Sequence, residues 1–389
     1  MQPQQTLKED LGLRMELSGA QREARLRFRE FVREHVTPHA GEWDREERIP
    51  LELIGRLREN GYLGSSLPVD AGGGGLDPIT YGLLTEELAR GCSSVRSLLT
   101  VHDMVAQAVW RWGSRELKTN LGTAAARAEV LCALALTEPE AGSDAASVQT
   151  EARADGDGYV LNGRKKWITY GQIADLFLAL VRCEGKLTAF LIPADARGFT
   201  RRPLHGIVGT RASLLAELQF DDCFVPATHL VGRIGFGLSH VVGAALDHGR
   251  YSVAWGAVGI AQACLDACSE YTSTRKQFGV ALAEHQLVQR KLTNMITDTR
   301  AARLLCYRAG YLRQIGDPGA ASETLVAKYF ASKAAVRAAN DAVQLHGANG
   351  LTEDYPVARY LRDARVTEII EGSTQIQQIS IARNPPGEL

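Results

Sequence analysis

Four short segments of the 389-residue chain hold residue types able to do chemistry. Ile369-Ile370-Glu371-Gly372-Ser373-Thr374-Gln375 sets one carboxylate between an apolar pair and a glycine turn that opens a helix. Apolar surroundings raise a carboxyl pKa toward neutrality, which suits a general base; a capping or surface glutamate is the plainer alternative. Leu136-Thr137-Glu138-Pro139-Glu140-Ala141-Gly142-Ser143-Asp144 is rich in turn residues, hydroxyls and glycine. Such a segment offers backbone N–H groups and hydroxyls to a polar heterocycle or a carbonyl, or is a simple loop. Lys166-Trp167-Ile168-Thr169 puts an indole beside a small hydroxyl residue, which walls a flat ligand or packs a core. In Arg275-Lys276-Gln277-Phe278-Gly279, followed by Glu284-His285-Gln286, one long helix is expected to end at Gly279 and the next to begin near Gln286. An arginine at that junction clamps a pyrophosphate or complements a helix dipole.

The elements that must position these segments fall into three zones, with boundaries expected at 1–130, 131–240 and 241–389. The first is helical: Phe28, Phe31, Val32, His35 and Val36 recur at three- and four-residue spacing before Pro38, and Leu51 to Leu63 repeats the pattern. Ala71-Gly72-Gly73-Gly74-Gly75 reads as a flexible loop ahead of a helix over about 77–90. No strand precedes it and no Gly-Lys-Ser/Thr follows, so it is not a phosphate loop. In the second zone, Tyr159-Val160-Leu161 and Trp167-Ile168-Thr169 flank Asn162-Gly163, which predicts a hairpin. Leu176 to Val181, Leu187 to Ile192 and Ala216 to Phe220 are further short strands, so an antiparallel sheet or barrel is expected. Long helical patterns return over 254–271, 286–310, 322–345 and 356–365, which predicts a bundle. No short-period repeat is evident.

Composition bounds the function. Lys plus Arg total 44 and Asp plus Glu 45, a net charge of -1 that leaves no basic footprint for nucleic acid. The longest uncharged stretch, Tyr251 to Leu265, is shorter than the ~20 apolar residues of a membrane span and reads as a buried helix. Met1 to Asp10 has no apolar core of a secretory signal. Seven scattered cysteines without a C-x-x-C argue against a disulfide framework and a metal site, and point to a reducing, cytoplasmic compartment. Cys264 and Cys268, four apart, read as small buried hydrophobes.

The order of these pieces is more specific than any one of them. Helices, T-E-P-x-A-G-S-D, a W-I-T segment, R-K-Q-F-G, H-Q, Q-L-H-G-A-N-G-L and I-I-E-G-S-T-Q-I-Q, over about residues 18 to 384, resemble the acyl-CoA dehydrogenase family. The resemblance implies an α+β fold: an N-terminal helical domain, a middle antiparallel β-barrel and a C-terminal four-helix bundle, assembled as homodimers or homotetramers with FAD. It implies that Leu136, Thr137, Gly142 and Ser143 hold the flavin ring, with Ser143 also near substrate, and that Trp167, Ile168 and Thr169 lie against the other side. Arg275, Gln277, Phe278 and Gln286 match residues that reach the FAD of a neighbouring subunit. Gln344, Leu345, His346, Gly347 and Ala348 match the loop at the pyrophosphate and adenine, with Ser373, Thr374 and Gln375 beside it. Glu371 matches the catalytic base. Some branches place the base on the helix that here reads Leu246-Asp247-His248-Gly249-Arg250, but Gly249 has nothing to titrate. Glu371 is then expected to take a proton next to a thioester carbonyl while hydride passes to the flavin. Its backbone N–H helps to hold the carbonyl oxygen.

Three features bear on the substrate and the departures from the pattern. Gly91 to Thr100 and Gly249 to Ile260 resemble a bacterial subgroup acting on small polar acyl groups on an acyl carrier protein, in hydroxymalonyl, methoxymalonyl or aminomalonyl extender-unit synthesis. Arg96 is then a candidate for the polar end of the acyl group, or else a solvent-facing helix residue. Asp247 and Arg250 match a pair near the active site, Arg250 either touching substrate or orienting structure. The alternatives are a short-chain acyl-CoA dehydrogenase forming a trans-2-enoyl-CoA, a flavin monooxygenase on the same scaffold, which Glu371 counts against, and a non-enzymatic helical scaffold. The electron acceptor is not indicated. Glu140, His346 and the stretch 118–129 depart from the general family pattern without removing a catalytic group.

Overall fold

The computed structural model describes residues 16–383; the N-terminal segment read as lacking a secretory core lies outside them. Helix α1 (Gly19–His35) opens on a capping box: Ser18 accepts from Gln21 N, and the Gln21 side chain returns to Ser18 N. Short helices α2 (Ala40–Glu46) and α3 (Leu51–Glu59) lead to α4 (Pro78–Gly91) and α5 (Ser93–Trp112). Asp77 caps α4 by accepting from the N–H groups of Ile79 and Thr80. The glycine run before α4 is a packed loop, because Gly73 N, Gly74 N and Gly75 N donate to the carbonyls of Pro68, Gly64 and Leu67.

Strands β1 (Cys132–Ala135), β2 (Glu151–Asp155), β3 (Gly158–Ile168), β4 (Leu176–Cys183), β5 (Lys186–Pro193), β6 (Phe199–Pro203), β7 (Ala216–Pro226) and β8 (Leu230–Val231) form one sheet. Its order is β6-β7-β3-β2-β4-β5-β8, with β1 on β4. This corrects the expected antiparallel barrel in two respects. The sheet is an open path, since no pairing joins β6 to β8 among the described residues, and it is mixed, since β1 and β2 both run parallel to β4. The Asn162-Gly163 hairpin is also corrected. β3 runs straight through that pair as one strand with a bulge, and its turn with β2 is Gly156-Asp157, where Gly156 takes φ +58°. Gly163 serves instead as a close approach: a Cβ there would lie 2.6 Å from Thr150 Oγ1.

The uncharged stretch lies within α6 (Gly243–Thr274), which a π-helical turn over Gly237–Val242 precedes. Helix α6 ends at Thr274, not Gly279. Residues 276–281 form a two-stranded ribbon, β9 (Lys276–Gln277) and β10 (Val280–Ala281), turning at Phe278-Gly279. Helices α7 (Gln286–Gln314), α8 (Ala320–His346), α9 (Val357–Thr367) and α10 (Thr374–Arg383) follow. No described helix is long and apolar enough to cross a membrane. All seven cysteines are buried free thiols.

Small residues let α6 sit at the centre. Buried Gly256 and Gly259 on α6 meet Arg96 of α5 and Glu86 and Ala89 of α4, and α8, with buried Ala327, Ala331, Ala334, Ala338 and Ala342, also packs on α6. Buried charge fastens the outer helices to α4. Glu86 is held by Arg303 at 2.8 Å and Arg25 at 3.2 Å, and Glu87 by Arg29 at 2.8 Å. A Cβ on Gly259 would lie 2.3 Å from the Glu86 carbonyl oxygen, a backbone atom that cannot step aside. Gly259→Ala should therefore cost about 1–3 kcal/mol of stability. Thermal unfolding checks this; an unchanged midpoint would show that α4 and α6 are not in that contact.

Candidate active site

Between α9 and α10 the backbone turns through left-handed conformations at Glu371 (φ +55°) and Gly372 (φ +89°). A non-glycine residue there costs on the order of 1–3 kcal/mol and persists only where its surroundings fix it. Three side chains do so by gripping carbonyls. Arg250 Nε and Gln377 Nε2 each donate to Glu371 O at 3.1 Å, while Lys328 Nζ donates to Gly372 O at 2.8 Å. Arg250 is thus placed to orient the turn.

Held this way, Glu371 projects over α6 at Gly249. A Cβ on Gly249 would lie 2.6 Å from Glu371 Oε2 and 2.7 Å from Met104 Sδ of α5. The missing side chain of Gly249 is therefore the space that the Glu371 carboxylate fills. Glu371 Oε2 is shielded from solvent without a hydrogen-bond partner among the described residues, although the residue as a whole is only half-buried. Burial pushes the carboxyl pKa up to about 7, with Arg250, Lys328 and Arg96 pulling it back. Lys328 is fully buried, and burial lowers its ammonium to about 8.

Arg96 does not face solvent: it is 1% exposed, which removes that alternative. Its Nη1 and Nη2 reach only the hydroxyls of Thr100 and Ser93 at 3.3 Å, and its Nε is shielded without an acceptor. No carboxylate pairs with it among the described residues, although Glu371 is close enough to act on its charge. Asp247, by contrast, is occupied by Arg313 Nη2 at 2.7 Å.

The structure brings two of the other segments together. Lys166 N donates to Thr137 O at 2.8 Å, joining the 136–143 loop to the end of β3. Beneath it Lys165 Nζ, wholly buried, bonds Glu138 Oε1 at 2.7 Å and the carbonyls of Leu136 and Leu180. Glu138 also accepts from Gln149 N and Thr150 N. Burial alone would raise Glu138, but these donors bring it below the usual carboxylate range. On this base Trp167 stands half-exposed at φ +65°, with Lys166 Nζ 4.8 Å from its ring centroid. Gly142 and Ser143 are exposed, and Leu136, Thr137 and Thr169 partly so. An open indole face beside free loop groups fits a flat heterocycle such as a flavin. Ile168 is instead buried in the sheet core.

The remaining residues lie apart within this one chain. Arg275, Gln277, Phe278 and Gln286 are exposed on and around the ribbon, Phe278 at 95%. Leu345 and His346 turn inward. His346 stacks on Tyr271 with ring centroids 4.2 Å apart and bonds Ala342 O through Nδ1. Gln344, Gly347 and Ala348 are exposed, and Gln375 faces outward while Ser373 and Thr374 are partly buried. The sequence reading missed Lys165 with Glu138, Lys328 and Gln377. A lone lysine within the apolar run Leu325-Val326-Ala327-Lys328-Tyr329-Phe330-Ala331 was the available signal for one of them.

Comparison with known proteins decides the family. The acyl-CoA dehydrogenase N-terminal, middle and C-terminal domain models match residues 18–129, 133–223 and 235–385. The chain belongs to the acyl-CoA dehydrogenase family. It is 37% identical over 366 residues to the probable acyl-CoA dehydrogenase FadE25 of Mycobacterium tuberculosis, covering 93% of this chain and 94% of that one. Butyryl-CoA dehydrogenase of Megasphaera elsdenii superposes with a TM-score of 0.91 at 34% identity, covering 95% and 98% of the two chains. A glutaryl-CoA dehydrogenase of Mycobacterium smegmatis in complex with FADH2 gives 0.90 at 29%, covering 96% of each. FkbI, for biosynthesis of a methoxymalonyl extender unit, gives 0.85 at 32%, covering 91% and 98%. As an acyl-CoA dehydrogenase the chain is a flavoprotein oxidoreductase of acyl thioesters, and its cofactor is FAD.

The Lys328 ammonium favours ionised Glu371, so removing it moves the Glu371 pKa above about 7. In Lys328→Met, the rise of flavin-reduction rate with pH should shift upward, by about 0.5–1 pH unit. Stopped-flow absorbance across pH 5.5–9 measures it. A downward or absent shift would mean that Lys328 does not act on the carboxylate.

Proposed function

We propose that this chain oxidises a small acyl thioester with a polar or anionic far end, delivered on an acyl carrier protein, in extender-unit synthesis of the methoxymalonyl type. The observation that carries this is Arg96: a buried guanidinium near Glu371 with hydroxyl neighbours and no ion-paired carboxylate among the described residues. A buried charge without a partner is costly, and a hydrocarbon tail would leave it so. A hydroxyl or carboxylate on the acyl group would complete its hydrogen bonding. The likeness to FkbI supports the same reading.

Bound FAD supplies the hydride acceptor. Glu371 takes the proton next to the thioester carbonyl through Oε2, which has no competing partner among the described residues. The Glu371 N–H, which has no backbone acceptor among the described residues, donates to the carbonyl oxygen as charge develops there. Lys165 and Glu138 hold the 136–143 loop against one side of the flavin, and Trp167 with Thr169 closes the other. The exposed ribbon carrying Arg275, Gln277 and Phe278 reaches the FAD of a second copy, which makes the working unit a homodimer or homotetramer.

The test offers the holoprotein butyryl-CoA and short hydroxyacyl or carboxyacyl thioesters, on CoA and on a carrier protein, and follows flavin bleaching. The polar acyl groups should react faster. Arg96→Met should lower their kcat/KM by about 10- to 100-fold while affecting butyryl-CoA much less. Faster bleaching by butyryl-CoA than by every polar thioester would favour the catabolic short-chain reading instead.

A further inference from the structure

Helices α5 and α6 pair antiparallel, and their contacts define an axis. At its deep end a Cβ on Gly256 would lie 3.0 Å from Arg96 Nε. Next, Thr100 Oγ1 and Ser252 Oγ are 2.6 Å apart. Met104 and Gly249 then meet at the Glu371 carboxylate. At the far end Trp112 closes α5 and packs edge-on to His240 of the π-helical turn, with centroids 5.2 Å apart. Trp112 is eight residues beyond Met104, and His240 nine before Gly249, so both helices carry the axis about 12–13 Å from the base to this end.

That end carries an unusual surface. Arg111 lies 5.4 Å from the Trp112 ring centroid, His240 stacks on Phe236 at 4.4 Å, and Arg233 lies 5.8 Å from Phe236. Gly232 N donates to Trp112 O at 3.0 Å and ties the two segments. Lys186 approaches from the β4–β5 turn, where a Cβ on Gly235 would lie 3.6 Å from its Cδ. Arg111, Arg233 and Lys186 are exposed and form no ion pair among the described residues, although Glu184 shares the turn with Lys186. Seating guanidinium groups on aromatic rings fixes their positions without neutralising them, so the positive potential stays available to a partner.

We propose that this cation–aromatic ladder is the docking face for a small acidic carrier protein that bears the acyl thioester on a flexible arm. The arm runs from this face toward Glu371 and its acyl end toward Arg96. This rests on the carrier-protein reading above. Arg111, Arg233 and Lys186, three exposed cations without ion-pair partners among the described residues, suit several carboxylates on a protein surface.

The test uses the FAD-loaded protein and a phosphopantetheinylated acyl carrier protein of net negative charge. Binding is read by interferometry at low and high salt, and kcat/KM is compared for one short acyl group loaded on the carrier protein and on CoA. Arg111→Glu combined with Arg233→Glu should weaken carrier binding by about tenfold or more at low salt, flatten its salt dependence and lower the carrier-to-CoA ratio of kcat/KM equally. The double glutamine variant, with bound flavin as the check of folding, should show a smaller loss in the same direction. Arg27→Glu, on exposed α1, should leave the ratio unchanged. Wild-type carrier affinity in both double variants, or an equal loss for the CoA thioester, would overturn the docking face alone. A wild-type protein that binds no carrier protein yet bleaches with CoA thioesters would overturn the carrier-protein reading itself.

Discussion

The rest of the site depends on holding one carboxylate where it is poorly solvated. Glu371 has its Oε2 shielded, its pKa pushed up to about 7 and its backbone in a left-handed turn. Relative to the ordinary value of 4.5, that shift corresponds to a cost on the order of 3 kcal/mol for the ionised form. The raised pKa therefore favours the folded state below the unfolded pKa, and this contribution is lost as pH rises through about 7. Arg250, Gln377 and Lys328 keep the turn in place, and the two cations also limit how far the pKa climbs. Removing solvent while retaining nearby positive charge leaves a base poised near neutrality, stronger than an exposed glutamate yet still ionisable.

Two different scaffolds carry the two parts of the candidate site. The sheet presents the loop at 136–143 and the half-exposed Trp167, with the buried Lys165–Glu138 pair as the fastening between them. A buried pair of this kind adds little net stability, but removing either partner strands a charge, so it acts as a positional lock. The α5–α6 pair presents Arg96, Met104 and Gly249 in line with Glu371. Their close approach requires the small residues of α6, and this is why a helix with so few charges occupies the centre of the molecule.

Much of this was legible in the sequence. The helical zones and most strands could be placed because each is a local pattern, whereas Glu371 and the segments at 136–143 and 166–169 stood out only through their order along the whole chain. What failed was pairing. Asn162-Gly163 reads as a hairpin from its two residues, but β7 pairs with β3 on both sides of it and keeps the strand continuous through a bulge. Sheet closure depends on whether β6 and β8 meet, which no local pattern encodes. The roles of Lys328, Lys165 and Arg96 depend on burial and on partners 27 to 44 residues away or on other helices. Gly249 was read as a position without a base; its role as space for another residue's carboxylate appears only in three dimensions.

The central claim is that Glu371, poised by burial, is the proton acceptor. Single-turnover flavin reduction by an acyl thioester, followed across pH in the wild-type protein and in Glu371→Gln, tests it most directly. The wild-type rate should rise with pH through an apparent pKa near 7. Glu371→Gln should retain bound FAD, lose about 10²–10⁴-fold in rate and lose that pH dependence. A Glu371→Gln protein that bleaches its flavin at the wild-type rate would contradict the account.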